Sequence, residues 1–282
     1  MANKPFNTVN YEVLRGSATK NELAQARVTL KNMLIRKQTK WSTTEVKLFY
    51  SALSQIKKRD EQNCVKLQKK EVIELLGLGD CYSYNLRNLF ISMMKKSFLQ
   101  FDGPTEEEWD DGFLISQVRS TKKEIFVKFT DTYLPLLDEL SDNFTTFFLD
   151  NIARMKSKHA INLFTYLKST YYPIRPEQRI QIGIEELKQI FELGDTDYVR
   201  TDSKRKGWFD ITNFRKRVLE PAIAEINESF SGMRIVPEIK PIRRGGIVGY
   251  ELLYCLLNRD GSIRDDYGCY DKTKKELKME EF

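Results

Sequence analysis

Hydrophobic positions along this chain change period several times, and each change marks an element. From Asn21 to about Ile56 the residues Leu23, Leu30, Leu34, Val46, Phe49, Leu53 and Ile56 keep helical spacing. Thr43 or Thr44 offers a hydroxyl to cap the second of these helices. Val65 and Leu67 then alternate as a short strand before a helix from Lys69 to Leu76, which Gly77 or Gly79 ends. Ser83 can cap a further helix running to about Gln100. Leu86, Leu89, Phe90 and Met93 fall on its inner face, and Asn85, Asn88, Ser92 and Lys95 on its outer one. Phe113–Arg119 and Glu124–Phe129 alternate as strands around the turn Ser120-Thr121-Lys122-Lys123.

The second half repeats the theme. A helix is expected over Ile152–Thr170, ended by the loop with Pro173 and Pro176, then a strand at Ile180 and Ile182 and a helix over Glu185–Phe191. Residues 196–207 read as a flexible basic loop containing Lys204, Arg205 and Lys206. A helix follows at Ile211–Ser229, then strands at Arg234–Lys240 and Ile247–Leu257 around Pro241–Gly246. Residues 131–150 join the halves, and the Phe144–Phe148 aromatic group is expected to pack between them. Residues 1–20 read as a mobile arm, and the charged segment from Asn258 as a frayed tail.

The two halves share more than a theme. VKLQKKEVIELLGLGD (65–80) and IQIGIEELKQIFELGD (180–195) lie 115 residues apart, and the offset also places Ser42 on Ser157 and Leu48-Phe49 on Leu163-Phe164. Over 42–80 there are 8 identities in 39 positions, with no gap and with matching apolar positions. A period this long suits a duplicated small domain rather than a solenoid repeat. Each copy continues into a basic helix and a strand–basic turn–strand, the order of a winged helix-turn-helix. The fold expected is therefore α+β: two tandem winged helix-turn-helix domains, mainly helical with small β-hairpin wings. The boundaries expected are an arm at 1–20, a first domain at 21–145, a second at 146–257 and a tail at 258–282.

Charge sharpens this reading. The net charge is only +6, but residues 200–246 carry eleven Lys/Arg against six Asp/Glu, a local excess of five. A concentrated basic stretch is the electrostatic footprint of a polyanion partner, although a solvated surface can look the same. No apolar run approaches the roughly 18 residues that span a membrane, and the N-terminus lacks a signal-peptide core. Cys64, Cys81, Cys255 and Cys269 show no C-x-x-C spacing, so incidental thiols in a cytoplasmic protein are expected.

The densest constellation is WFDITNFRKRVLEPAIAEINE (208–228). Asp210 suits an N-cap, and Phe209 can staple onto Phe214. Phe214, Val218, Ala222 and Ile226 recur every four residues toward the core, while Asn213, Lys216, Arg217 and Glu220 share the opposite face. Arg215 sits between, able to swing to a phosphate. Arg and Asn are the side chains that pair bidentately with guanine and adenine edges in the major groove. Pro221 should bend the helix after its basic first turns. Lys240, Arg243 and Arg244 add a basic hairpin. In the first copy Asn85, Arg87, Asn88 and Lys95, with Lys122 and Lys123 on the hairpin, make a less basic counterpart, serving weak phosphate contact or a protein partner. An ordinary charged surface helix is the plain alternative throughout.

Catalytic readings fail on inventory. His159 is the only histidine, so no histidine pair can hold a metal, and no phosphate-cradling G-x-x-x-x-G-K-[ST] stretch occurs. No catalytic residue, metal site or cofactor is expected. A site built from carboxylates alone stays open.

These residues resemble the iteron-binding plasmid replication initiator (Rep) family, which has two winged-helix domains. KSKHAINLFTYLKS (156–169) and NFRKRVLEPAIAEINE (213–228) carry the resemblance most strongly, with TTEVKLFYSALSQI (43–56) matching the first domain's early helix. It implies that the second domain reads part of a repeated origin site in double-stranded DNA, with base reading by Arg215, Lys216 and Arg217. Asn213, Arg243 and Arg244 are added from the helical wheel and the hairpin. It further implies a monomer–dimer equilibrium through the first domain, dimers repressing the protein's own promoter, and recruitment of host initiator and helicase proteins. Two other classes remain: a winged-helix transcriptional regulator without a replication role, and winged helices that bind proteins.

Overall fold

The chain departs from helical expectation at its start. In the computed structural model, which describes residues 23, 26–35, 40–78, 82–102, 109–137, 144–171, 177–201, 207–229, 232–236, 238–243, 246–258 and 262–263, Arg27–Lys31 form strand β1 and only Asn32–Ile35 a helical turn, α1. The arm at 1–20 and nearly all of the tail lie outside the described residues. Helix α2 (Thr43–Leu53) opens on a capping box: Ser42 Oγ accepts from the Glu45 N–H, and Glu45 Oε2 accepts from the Ser42 N–H at 2.6 Å. Strand β2 (Cys64–Gln68) and helix α3 (Lys69–Leu75) follow as expected, and Gly77 ends the helix at φ +63°.

Helix α4 (Tyr82–Lys95) begins one residue before Ser83 and stops earlier than expected. The next residues turn to period two, with Phe98 exposed and Leu99 buried. They form strand β3 (Phe98–Asp102), paired antiparallel with β4 (Trp109–Phe113), so Phe113 belongs to this extra hairpin. Strands β5 (Ile115–Ser120) and β6 (Glu124–Phe129) flank the expected turn. Beyond a short helix, α5 (Leu134–Leu137), strand β7 (Phe144–Phe148) pairs with β1 across 113 to 121 residues of chain.

The second half opens as two helices rather than one, α6 (Asp150–Ala153) and α7 (Lys158–Thr170). Ser157 is extended and caps α7, accepting from the His159 N–H at 3.1 Å, which stops the helix from running through. Strand β8 (Glu177–Gly183) and helix α8 (Ile184–Ile190) follow. Helices α9 (Ile211–Phe214) and α10 (Glu220–Glu228) are joined by a π-helical turn, Arg215–Leu219. The strand expected over Arg234–Lys240 is in fact two, β9 (Met233–Ile235) and β10 (Lys240–Arg243), and β11 (Ile247–Leu256) completes the sheet. Pro241 fits in β10 because that strand is at an edge, where a missing N–H costs nothing.

The 115-residue offset is structural. α3 and α8 coincide residue for residue under it, α2 and α7 start together, and both capping serines correspond. The sheets share a strand order, β2-β6-β5 in the first copy and β8-β11-β10 in the second. The strands exceed the expected ones by the β1–β7 ribbon, the β3–β4 hairpin and most of β10, which takes up part of the turn expected at 241–246.

One hydrophobic core runs through both copies. Phe147 on β7 is 3% exposed and lies edge-on to Tyr50 of α2 at 5.3 Å and to Phe164 of α7 at 5.7 Å. Lys47, buried on α2, donates to the Ala153 carbonyl at 2.6 Å. Burial holds its ammonium below the ordinary lysine value, against the opposing pull of Glu225. Phe147→Ala should therefore cost about 3–5 kcal/mol. Urea denaturation followed by circular dichroism is the check, and an unchanged midpoint would show that the aromatic seam carries no stability.

Candidate nucleic-acid interface

The helical unit 211–228 is held from three sides. Its apolar face is fully packed: Phe214, Val218, Leu219, Ala222, Ile223 and Ile226 are all 3% exposed or less. Phe214 sits among Phe191 at 5.3 Å, Phe209 at 5.5 Å and Tyr198 at 5.9 Å, so the expected staple exists within a larger aromatic cluster. At the far end the Asn227 amide donates to the Ile235 carbonyl and accepts from its N–H, both at 2.8 Å, tying α10 to β9.

The third tie is a carboxylate. Where the first copy has Glu45 to complete its capping box, the equivalent position is Ala160. Glu225 of α10 supplies the missing acceptor, taking the Ser157 N–H at 3.2 Å and the Lys156 N–H as well. The α7 N-terminus is thereby fixed to the helix that follows the basic turns. Sequence reasoning missed this contact, and the absent acid at position 160 was the available signal.

Asp210 caps the basic end as expected, accepting from the Asn213 N–H at 3.2 Å and from Asn213 Nδ2 at 2.8 Å. Arg200, unremarked in the sequence, pairs with the same carboxylate at 3.4 Å. Burial raises the Asp210 pKa, but these hydrogen bonds and the Arg200 charge outweigh it and hold the carboxyl below the ordinary aspartate value.

The π turn answers the expectation of a bend at Pro221. Glu220 donates its N–H to the Arg215 carbonyl, five residues back, just before Pro221, which has no N–H to give. On a regular α-helix a four-residue repeat drifts by about 40° per step. The wide turn takes that drift back, keeping Phe214, Val218, Ala222 and Ile226 on one buried face.

Of the basic residues, Lys216 and Arg217 are exposed, and neither has a polar partner among the described residues. Arg215 differs: it is half-buried, its Nε lies 2.7 Å from Glu220 Oε1, and its guanidinium sits 5.8 Å from the Tyr250 ring centroid. Asn213 is exposed but its amide is engaged by Asp210. Lys240 and Arg243 are exposed at the two ends of β10, Lys240 opposite Glu251. Lys204, Arg205, Lys206 and Arg244 lie outside the described residues. The flanks of the 196–207 segment form a narrow stem, with Val199 bridged to Phe209.

In the first copy Arg87, Asn88 and Lys95 are exposed on α4, and Lys122 and Lys123 at the β5–β6 turn. Asn85 lies in the first turn of α4. Leu86, Phe90 and Met93 are buried beneath them, as the helical pattern requires. His159 is half-buried against Phe191 at 5.6 Å, its Nδ1 without a partner among the described residues. Cys64 and Cys255 are buried free thiols. No described helix is long and apolar enough to cross a membrane.

Two basic helix–hairpin surfaces on one duplicated scaffold find their counterpart among known families. The profile of the initiator replication protein WH1 domain matches residues 27–168, and that of the initiator Rep protein WH2 domain matches residues 183–252. The chain belongs to the initiator replication protein family. Its two winged-helix domains are those of that family. Among solved structures, a Pi initiator protein in complex with iteron DNA aligns with a TM-score of 0.65 over 83% of this chain and 98% of that one, at 18% identity. That likeness is one of fold. No curated protein matches the chain.

The cap at Asp210 gives a prediction for this initiator-family chain. A depressed folded-state pKa contributes stability above the unfolded carboxyl's value of about 3.9, and that contribution is lost as pH falls through the lower folded value. Asp210→Asn should flatten this part of the acid-unfolding profile, and Asp210→Ala should cost about 1 kcal/mol near neutral pH. Thermal melts across pH 2–7, at about half-unit steps, read both effects.

Proposed function

We propose that this chain starts plasmid replication by binding repeated origin sites in duplex DNA, the second domain reading bases and the first adding auxiliary contacts and self-association. The observation that carries the reading is the exposed Lys216-Arg217 pair on a helix whose other face is wholly buried, beside a wing bearing Lys240 and Arg243, in an initiator-family chain. The N-terminal turns of such a helix are the part that enters the major groove. Family membership favours this over a transcriptional regulator without a replication role.

The division of labour follows the expected boundaries: arm 1–20, first domain 21–145, second domain 146–257, tail 258–282. Lys216 and Arg217 contact base edges, with Asn213 released from Asp210 on binding. Arg215, paired with Glu220 and covered by Tyr250, either exchanges that carboxylate for DNA or serves as a brace. Lys240, Arg243, Arg244 and the Lys204–Lys206 run contact phosphates. In the first domain Asn85, Arg87, Asn88, Lys95, Lys122 and Lys123 touch an adjoining part of the site. Monomers on adjacent repeats open the origin and recruit host initiator and helicase proteins in the cytoplasm, and dimers repress the gene's own promoter. No bond of DNA is made or cut.

Binding should be stronger on repeat than on random duplex and should weaken steeply as salt rises, because phosphate neutralisation releases counterions. Arg217→Ala should cost about 1–3 kcal/mol on the cognate repeat and relax discrimination at one base step. Lys240→Ala should weaken all duplexes alike and flatten the salt slope. Titrations at several salt concentrations test both, and an exchange of the two signatures would refute the assignment.

A second test concerns strand chemistry. Pure protein on supercoiled origin DNA, with and without divalent metal, should leave both strands intact and expose unpaired bases in a neighbouring AT-rich tract, where the duplex deforms most readily. Nicked circles or a covalent protein–DNA adduct would overturn the non-enzymatic reading.

A further inference from the structure

Trp208 is 68% exposed, far more than the other large exposed hydrophobics among the described residues, Phe98 and Phe113 at 42% and 48%. It stands on a built stem. Arg200 donates its N–H to the Trp208 carbonyl at 2.8 Å, and Gly207 donates to the Arg200 carbonyl at 3.0 Å. Val199 and Phe209 bridge beneath them, and Asp210 donates to the Tyr198 carbonyl at 2.5 Å. Phe209 and Tyr198 pack inward on Phe214, so the alternation of an extended strand turns Trp208 to the opposite, open side. The stem also holds Tyr198 at φ +54°, a left-handed conformation that a bulky residue keeps only where its surroundings over-determine it.

An indole kept in water by a strained, hydrogen-bonded stem has no folding purpose. Its position in the chain indicates a binding one. Trp208 lies two residues before the N-cap of the reading helix, within about 10 Å of its first turn, and follows directly on Lys204-Arg205-Lys206-Gly207. We propose that Trp208 is a duplex-backbone contact: its ring face packs on a deoxyribose at the groove edge while Nε1–H donates to a phosphate oxygen. Trp is a donor only, which suits a phosphate, and its ring offers apolar area to a sugar. Such a contact carries no sequence information; it sets how deeply and in what register the helix enters the groove. Six residues, 76–81, join α3 to α4 in the first copy, whereas twenty, 191–210, join α8 to α9 in the second; the insertion takes in 196–207, so this clamp belongs to the second alone.

The inference rests on the reading that 211–228 faces duplex DNA, and the experiment separates the two. Anisotropy titrations of the full chain with repeat duplex, random duplex and single-stranded DNA compare wild type with Trp208→Ala, Trp208→Phe and Arg217→Ala. Trp208→Ala should weaken both duplexes about tenfold, equivalent to about 1.4 kcal/mol, with the salt slope and the repeat-to-random ratio unchanged. Trp208→Phe should fall between, and Arg217→Ala should lose the ratio instead. Because the indole is exposed, the truncation leaves the core intact, which circular dichroism checks. Wild-type affinity in Trp208→Ala alongside lost discrimination in Arg217→Ala would overturn the clamp and leave the helix assignment standing. A loss confined to single strands would make Trp208 a base-stacking platform instead, and a lysine-like drop in salt slope would mean it only holds neighbouring cations; either result overturns the proposal. Wild-type protein that binds no duplex would remove the underlying reading itself.

Discussion

The pairing of β1 with β7 is the constraint on which the rest of the molecule depends. It joins residues 27–31 to residues 144–148, so the whole of the first domain is enclosed before the second begins. Closing so long a loop is entropically costly, and the ribbon alone does not offset it. The compensation comes from Phe147, which β7 delivers between α2 and α7, the equivalent helices of the two copies. Lys47 adds a buried hydrogen bond from α2 to the end of α6, one that is satisfied only when those two helices are in place. The two domains thus share a core, and their relative placement follows from packing rather than from a linker.

Duplication supplied the scaffold, and divergence within it produced the asymmetry. In the first copy Glu45 caps its own helix and pairs with Lys96 at 2.8 Å, a local arrangement within one domain. In the second, Ala160 gives up that role and Glu225 takes it from a distance, which couples the orientation of 211–228 to the N-terminus of α7. The insertion at 196–207 then builds a second support on the basic end through Tyr198, Phe209 and Arg200. A helix fixed at both ends has little orientational freedom left to lose on binding a partner. In the first copy the corresponding helix α4 is held at its far end, by Lys96 on Glu45 and by Trp41 Nε1, which donates to the Met93 carbonyl at 3.0 Å.

Much of this was legible in the residues, for identifiable reasons. The repeat was visible because the apolar positions of α3 and α8 obey the same spacing, and the cap at Asp210 and staple at Phe209 are local signals read within four residues. Strand β1 was not legible: Val28 and Leu30 sit within a helical-looking spacing, and only a partner more than a hundred residues away makes them a strand. The β3–β4 hairpin was hidden by a local effect, as an extension of a helix whose period changes only at Phe98. The engagement of Arg215 by Glu220 and Tyr250 depends on a wide turn and on a strand thirty-five residues later, neither of which a helical wheel contains.

The π turn at Arg215–Leu219 also bears on how such a chain can change over generations. It holds one residue more than an α-helix needs, and a helix absorbs an added residue in this way without turning what lies on either side. Deleting a single codon there would bring Phe214 and Ala222 from eight residues apart to seven, about two turns of a regular helix, so both would keep the buried face. Each residue of the turn is either basic or buried, so the loss would be of one cation or one core side chain and not of the helix's aim. A lineage carrying this turn can therefore change length within the segment while its two faces stay in register, a tolerance that a helix of unbroken winding lacks.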